Sequence, residues 1–298
     1  MKPQVTIVIP YFDHAAYLRL AVESALGQSY EHTEVIVVDD ASPVADAREL
    51  LNDLVVNHGE KLSIIRRETN GGSAAAKNTG ITAGNGEFVV PLDSDDLLDS
   101  RYVETVIAAH SPEYSGVFTQ TQLFGIHNFV HIPECTILDI MSGKPAPTTF
   151  LYRRKIFDQL GGYNPSVYHD DDEFWLRALS QGHKFFRVEK PLYYYRKHER
   201  GKSTTNRAVA LASFAKEHPA LYEKHLPEIL ENMEQKYFKS VDEYQQLHDA
   251  FKELSDHHKD LEQRFATLSA ENVQLNQKLS LRVFNKVKSV LQGQSISR

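Results

Sequence analysis

Cysteine is almost absent: the 298-residue chain has Cys135 and no other. A single thiol excludes an internal disulfide framework and fits a reducing cytoplasm. Its expected role is that of a small buried side chain. No run of about 18 apolar residues occurs, so no membrane-spanning helix is expected. The opening "MKPQVTIVIPYFD" enters strand-forming residues at once and carries no cleavable signal pattern. Positive charge is also in deficit. The 33 Lys and Arg against 40 Asp and Glu leave a net charge of −7, which argues against a general nucleic-acid binder. What remains is ordinary globular composition, 41% hydrophobic and 24% charged, with length for one large or two modest domains.

The first half alternates strand and helix signals. "VTIVIP", "EVIVVDD", "LSIIRRE" and "GEFVVPLD" are β-branched runs of the kind buried on both faces of a sheet. Between them, "AAYLRLAVESALGQ", "ADARELLNDLVV" and "SAAAKNTGITAG" have helical character. This order predicts an α/β fold with a mainly parallel sheet and helices on both faces. Ligands of such sheets bind beyond the carboxyl ends of the strands. The polar residues of "PYFD", "VVDDAS" and "PLDSDD" should therefore converge on one edge. From about residue 113, shorter strands, the helix "DDDEFWLRALSQG" and the aromatic run "PLYYYRKHERGKS" read as a second half packed on the same sheet.

From about residue 240 the chain becomes a heptad array. Leu247, Leu254, Leu261, Leu268 and Leu275 recur every seven residues, with Tyr244, Phe251, His258, Phe265, Asn272 and Leu279 at the alternate core position. Such d and a positions predict a coiled coil, a dimer or trimer of the chain. After Leu281 the tail has Arg282, Lys286, Lys288 and Arg298 and no acid, with Leu281, Phe284, Val287 and Leu291 on one helix side. A basic amphipathic helix is the pattern of an anionic membrane surface; a docking segment for a protein is the alternative. The expected organisation is a globular α/β domain over 1–238, with its motifs within 5–203 and a helical region at 206–238. A coiled coil over 239–280 and a basic tail over 281–298 follow.

Four acids in seven positions, Asp93, Asp95, Asp96 and Asp99, repel one another at a strand end. A hard divalent cation such as Mg²⁺ or Mn²⁺, held by one or two carboxylates and substrate phosphates, would relieve that repulsion. An acidic turn and helix cap is the simpler reading. Asp39 and Asp40 form a second strand-end pair, able to accept hydrogens from a nucleobase on which Tyr11 or Phe12 could stack. "NGGSAAAKN" sets a glycine turn before a helix bearing Lys77 and Asn78, without the spacing of a Walker or dinucleotide loop. Asp170, Asp171 and Asp172 open a helix. Its dipole explains one of them; another is free to act as a general base. His198 becomes a candidate metal ligand if a diphosphate binds nearby, with Arg196, Lys197 and Lys202 as phosphate partners.

In this order and spacing, "IPYFDHAAYLRLAVESALGQSYEHTEVIVVDDAS", "NGGSAAAKNTGI", "GEFVVPLDSDD" and "DDDEFWLRA" resemble the family-2 glycosyltransferases with the GT-A fold. The resemblance spans about Val5 to Ser203. It implies a Rossmann-like mixed sheet and inverting transfer of a sugar from a nucleotide donor, such as a UDP-sugar. By position, it places Pro10, Phe12, Asp13, Asp40, Lys77, Asn78 and Asp93 at the nucleotide. Asp93 and Asp95 fall on the DxD motif, which with His198 implies a Mn²⁺ or Mg²⁺ site, and Asp171 falls on the catalytic base. Phe12 and Asp13 replace a Tyr-Asn pair, Lys77 replaces an Arg, and Asp170 stands where a Glu precedes the base. The resemblance further implies a glycan acceptor, carried on a lipid, in bacterial surface-polysaccharide synthesis at the inner face of the membrane. A sugar nucleotidyltransferase would show a Gly- and Arg-rich phosphate loop near its first strand, which "PYFDHAAY" is not. An inactive scaffold working through its coiled coil would not need Asp95 or Asp171.

Overall fold

The computed structural model describes residues 2–13, 15–43, 45–198 and 207–291. Strands β1 (Val5–Tyr11), β2 (Thr33–Asp39), β3 (Leu62–Arg66) and β4 (Phe88–Pro91) pair in parallel in the order β3-β2-β1-β4. Helices α1 (Ala15–Leu26), α2 (Ala45–His58) and α3 (Gly72–Ala83) connect them. The second half extends the same sheet through β8 (Leu151–Arg153), β6 (Gly116–Gly125), β9 (Phe185–Lys197) and β5 (Leu97–Leu98), while β7 (Phe129–His131) pairs with β6. Strand β9, 13 residues long, takes in most of "KFFRV" and the aromatic run that follows. Four helices accompany this half: α4 (Tyr102–Ala109), α5 (Ile137–Met141), α6 (Arg154–Leu160) and α7 (Asp170–Ser180).

The strand period of two divides the core. Val5, Ile7 and Ile9 of β1 with Val35 and Val37 of β2 meet Leu18 and Val22 of α1, Leu51 and Leu54 of α2 and Val103 and Val106 of α4. Val8, Ile36 and Val38 face the other way, onto Ala74, Ala76 and Ile81 of α3 and Phe174, Trp175 and Leu176 of α7. Both faces are covered, so the central strands carry no polar alternation. Helix α3 sits unusually close to the sheet. A Cβ at Gly80 would lie 2.5 Å from Val8 Cγ1 and 2.9 Å from Val38 Cγ2, nearer than packed atoms allow. That close approach carries Lys77, one turn earlier, under the strand ends.

Two further helices close the chain: α8 (Arg207–Glu217) and α9 (Pro219–Leu291). Helix α9 has 73 residues and runs without interruption past the expected domain boundary at 238. Two compact units result, Met1–Glu231 and Asn232–Arg298. Among the described residues no helix is long and apolar enough to cross a membrane. Lys202, expected at a phosphate, and Arg298 of the tail lie outside the described residues.

Candidate active site

The carboxyl end of β1 is followed by two aromatic residues of opposite fate. Tyr11 is 1% exposed and belongs to the core, so it cannot stack on a base; Phe12 is 36% exposed and can. Pro10 is half-buried opposite Val38, and Asp13 is exposed. At the end of β2, Asp39 Oδ1 accepts from the Ser42 amide at 2.8 Å. Between these two residues Ala41 has φ 58°, a left-handed conformation that costs a residue with a Cβ about 1–2 kcal/mol.

Asp40 has close partners within the protein. Its carboxylate accepts from Arg67 Nη1 at 2.7 Å and from the amides of Gly71 at 3.1 Å and Gly72 at 2.7 Å. Three donors thus share the carboxylate, with the Gly71 amide bridging both oxygens. Asp40 ties the end of β2 to the glycine turn that starts α3, where Gly72 has φ 81°. Nothing about the sequence position of Arg67 announced this partnership. Asn78 is likewise turned toward the fold. Its Nδ2 donates to the Tyr163 carbonyl and its Oδ1 accepts from the Tyr163 amide, both at 2.8 Å. Each end of its amide thus makes one hydrogen bond to the Tyr163 backbone.

The four acids after β4 point four ways. Asp93 lies within electrostatic reach of Lys77 and Asp171. Asp95 Oδ2 is 2.8 Å from His198 Nε2, and the Asp95 carbonyl accepts from Arg196 Nε at 2.8 Å. Asp96 is fully buried, taking the Tyr193 hydroxyl on one oxygen and the Arg196 amide at 2.8 Å on the other. Burial, then Asp95 and Asp93, push its carboxyl well above the usual range, against the pull of those two donors. Asp99 accepts from the Arg101 amide at 2.9 Å. The repulsion that suggested a metal is therefore partly offset by protein donors. Arg196 is itself held between the rings of Tyr17 and Phe124, 4.3 and 4.2 Å from their centroids. Lys197 lies over Tyr195, and burial lowers its ammonium.

The acids of α7 also divide. Lys77 Nζ reaches Asp171 Oδ1 at 2.6 Å and Asp170 Oδ2 at 3.1 Å, and lies 5.1 Å from the Tyr163 ring. Lys77 is 1% exposed, and its ammonium supports these two carboxylates. Burial disfavours its ammonium, but Asp170, Asp171 and Asp93 outweigh that and hold its proton above the ordinary lysine range. For Asp171, burial is the largest influence and pushes the carboxyl up; Lys77 pulls it down, and Asp170 and Asp93 add to the rise. A raised carboxyl is the more basic when ionised, which favours proton abstraction. Asp172 turns away and accepts from the Ala146 amide at 2.7 Å. Two positions on, Thr148 shares a 2.7 Å hydrogen bond with Tyr193, the residue that holds Asp96. Both acidic motifs thus brace the 146–148 segment, a linkage that residue spacing does not reveal. Cys135 is half-buried, and burial foremost pushes its thiol up, which removes it as a nucleophile.

Among the described residues no three His, Cys, Asp or Glu side chains form a ready-made metal cage. The Asp95–His198 pair nevertheless fits one. Its 2.8 Å separation is close to the ~3.0 Å between adjacent ligands of an octahedral ion bound at about 2.1 Å, whose remaining ligands come from phosphate and water.

The sequence model for "Glycosyl transferase family 2" matches residues 6–162, just over half of the chain. The chain belongs to glycosyl transferase family 2. It is 33% identical over 106 residues to glycosyltransferase GlyG of Streptococcus pneumoniae, covering 36% of this chain and 35% of that protein. With an uncharacterized glycosyltransferase of Haemophilus influenzae the identity is 31% over 186 residues, 60% of this chain and 73% of the relative. The chain thus spans about a third of the first relative and nearly three quarters of the second. Among solved structures, S. aureus TarS in complex with UDP-GlcNAc aligns with a TM-score of 0.62 at 20% identity, over 79% of this chain and 73% of that one. The mannosyltransferase PcManGT of Pyrobaculum calidifontis, in complex with GDP-Man and Mn²⁺, aligns at 0.55 and 20% identity, over 68% and 59%. The α/β fold is that of GT-A glycosyltransferases.

Proposed function

We propose that the chain is an inverting, metal-dependent glycosyltransferase that moves a sugar from a UDP-sugar to a hydroxyl of a glycan acceptor. The observation that carries this reading is Asp171: a raised carboxylate at the start of α7, paired with Lys77 and within electrostatic reach of Asp93. Asp171 takes the proton of the acceptor hydroxyl while that oxygen bonds to the anomeric carbon. The bond from that carbon to the diphosphate breaks on the opposite face, so one displacement inverts the configuration. Lys77 stays protonated throughout and keeps Asp171 aimed. Phe12 stacks on the base, with Pro10 and Asp13 beside it. A divalent ion, Mn²⁺ or Mg²⁺, held by Asp95 and His198 with help from Asp93, would neutralise charge on the departing diphosphate.

The Mn²⁺ bound in the mannosyltransferase complex supports the metal assignment, and the UDP-GlcNAc complex of TarS supports a UDP donor. We extend the reading to surface-polysaccharide synthesis on a lipid-borne acceptor, at the cytoplasmic face of a bacterial membrane reached through the basic tail. The active form is a homo-oligomer joined through residues 239–280. The test is Asp171→Asn beside Asp170→Asn. Asp171→Asn should keep donor binding but lower turnover about 10²–10⁴-fold, and NMR of the wild-type product should show an inverted anomeric centre. Full turnover in Asp171→Asn, or retained configuration, overturns the mechanism.

A further inference from the structure

The stripe of apolar side chains along α9 calls for an occupant. From His258 to Leu279, seven consecutive a and d positions all face solvent. Leu261, Phe265, Leu268, Leu275 and Leu279 are between 55% and 76% exposed. Among the described residues the unit Asn232–Arg298 consists of this one helix, so no other element of that unit lies over the stripe. A single helix resting on a globular surface needs a 3.6-residue period. A strict seven-residue repeat keeps its seam facing a partner only if that partner supercoils with the same repeat.

We propose that α9 pairs with α9 of a second copy as a parallel, in-register, two-stranded coiled coil whose register is set by Asn272 and His258. This rests on the oligomer reading above and makes it specific. The argument lies in the polar layers. In an antiparallel pair every a residue faces a d residue of the partner. Every d residue from Leu247 to Leu275 is leucine, so any antiparallel register would bury Asn272 and His258 against leucine without a hydrogen-bond partner. In a parallel pair in register, Asn272 faces Asn272 of the second copy and His258 faces its own counterpart. Both layers can then form hydrogen bonds, and a shift of one heptad opposes each to Phe265 or Leu279, or to Phe251 or Phe265. A lone a-position Asn is the best-attested device for fixing register and two-stranded state. The same arrangement brings both copies of residues 281–291 out at one end. Two weak surface contacts would then act together, with avidity raised by about 10²–10⁴.

Light scattering and single-cysteine crosslinking of the full chain test this. At micromolar concentration the mass should be twice 33.9 kDa. In a Cys135→Ser background, Leu261→Cys and Leu275→Cys each place a thiol at a d position. Under a glutathione redox buffer, both variants should form disulfide-linked dimers, since only a parallel in-register pair brings both positions beside their own counterparts. Asn272→Leu should remain associated but lose selectivity, yielding mixed masses or crosslinks in only part of the population. A monomer or a trimer by light scattering overturns the two-stranded reading. A dimer that crosslinks at one position or at neither overturns the parallel register. These readouts follow assembly alone, whereas failure of the transferase reading would appear as absent donor turnover in a chain that still dimerises.

Discussion

Replacing Lys77 by Met tests the electrostatic architecture of the site at its most buried point. The substitution keeps the apolar stem and removes an ammonium that lies 2.6 Å from Asp171 and 3.1 Å from Asp170. Those carboxylates are 14% and 13% exposed and Lys77 is 1% exposed, so water screens the loss poorly. Breaking a buried pair by removing one partner costs about 3–5 kcal/mol. In a folded unit of this size each kcal/mol lowers Tm by about 2–4 °C, which sums to a fall of roughly 6–20 °C. The fall should depend on pH, with a definite sign. Lys77 has a raised folded pKa, so its stabilisation is present below the unfolded lysine value of about 10.4 and lost only above it. Between pH 5 and 9 it contributes no pH dependence of its own. Asp171 also has a raised folded pKa. Its contribution is fully present below the ordinary carboxylate range and is lost as pH climbs through the folded pKa. Without Lys77 that folded pKa rises further, so the variant's deficit should widen from about pH 5 to about pH 8. Thermal unfolding of both proteins across that range measures it. An equal Tm deficit at the two ends, or none at pH 8, would refute the reasoning.

Other outcomes follow from the same geometry. Asp95→Asn and His198→Ala should each weaken Mn²⁺-dependent UDP binding in a thermal-shift assay while Tm without ligand changes little; unchanged Mn²⁺ dependence in both would remove them as ligands. The acid limb of the wild-type kcat/KM profile should lie above the ordinary carboxylate range, because Asp171 must be ionised to act and its carboxyl is raised; a limb near pH 4 would contradict that. Deleting residues 281–298 should abolish flotation with anionic liposomes at low salt and leave turnover on a soluble acceptor intact. A full-length chain that does not float there refutes the membrane role of the tail.

The alternating first half was legible because burial on both faces demands continuous β-branched runs, and those runs coincide with β1 to β4. Phe12 against Tyr11 was not, since adjacent residues of a strand point to opposite faces and the last strand residue decides which ring is buried. The partners within the acidic clusters were not legible. Repulsion among Asp93, Asp95 and Asp96 suggested a cation; the structure adds partners from far along the chain, the Lys77 ammonium of α3 near Asp93 and the Tyr193 hydroxyl and Arg196 amide of β9 on Asp96. The Asp40 clamp on Gly71 and Gly72 and the Asn78 clamp on Tyr163 follow the same logic. Motif spacing locates such residues at the site, yet only the crossing of strands and helices decides whether a carboxylate or amide faces a ligand or the protein. Acids that look equivalent in "DSDD" and "DDD" thus separate into two kinds. Asp96 and Asp172 hold the frame, and through Tyr193 and Ala146 they brace the same 146–148 segment. Asp95 and Asp171 keep partial access to solvent, each beside one basic side chain, His198 and Lys77.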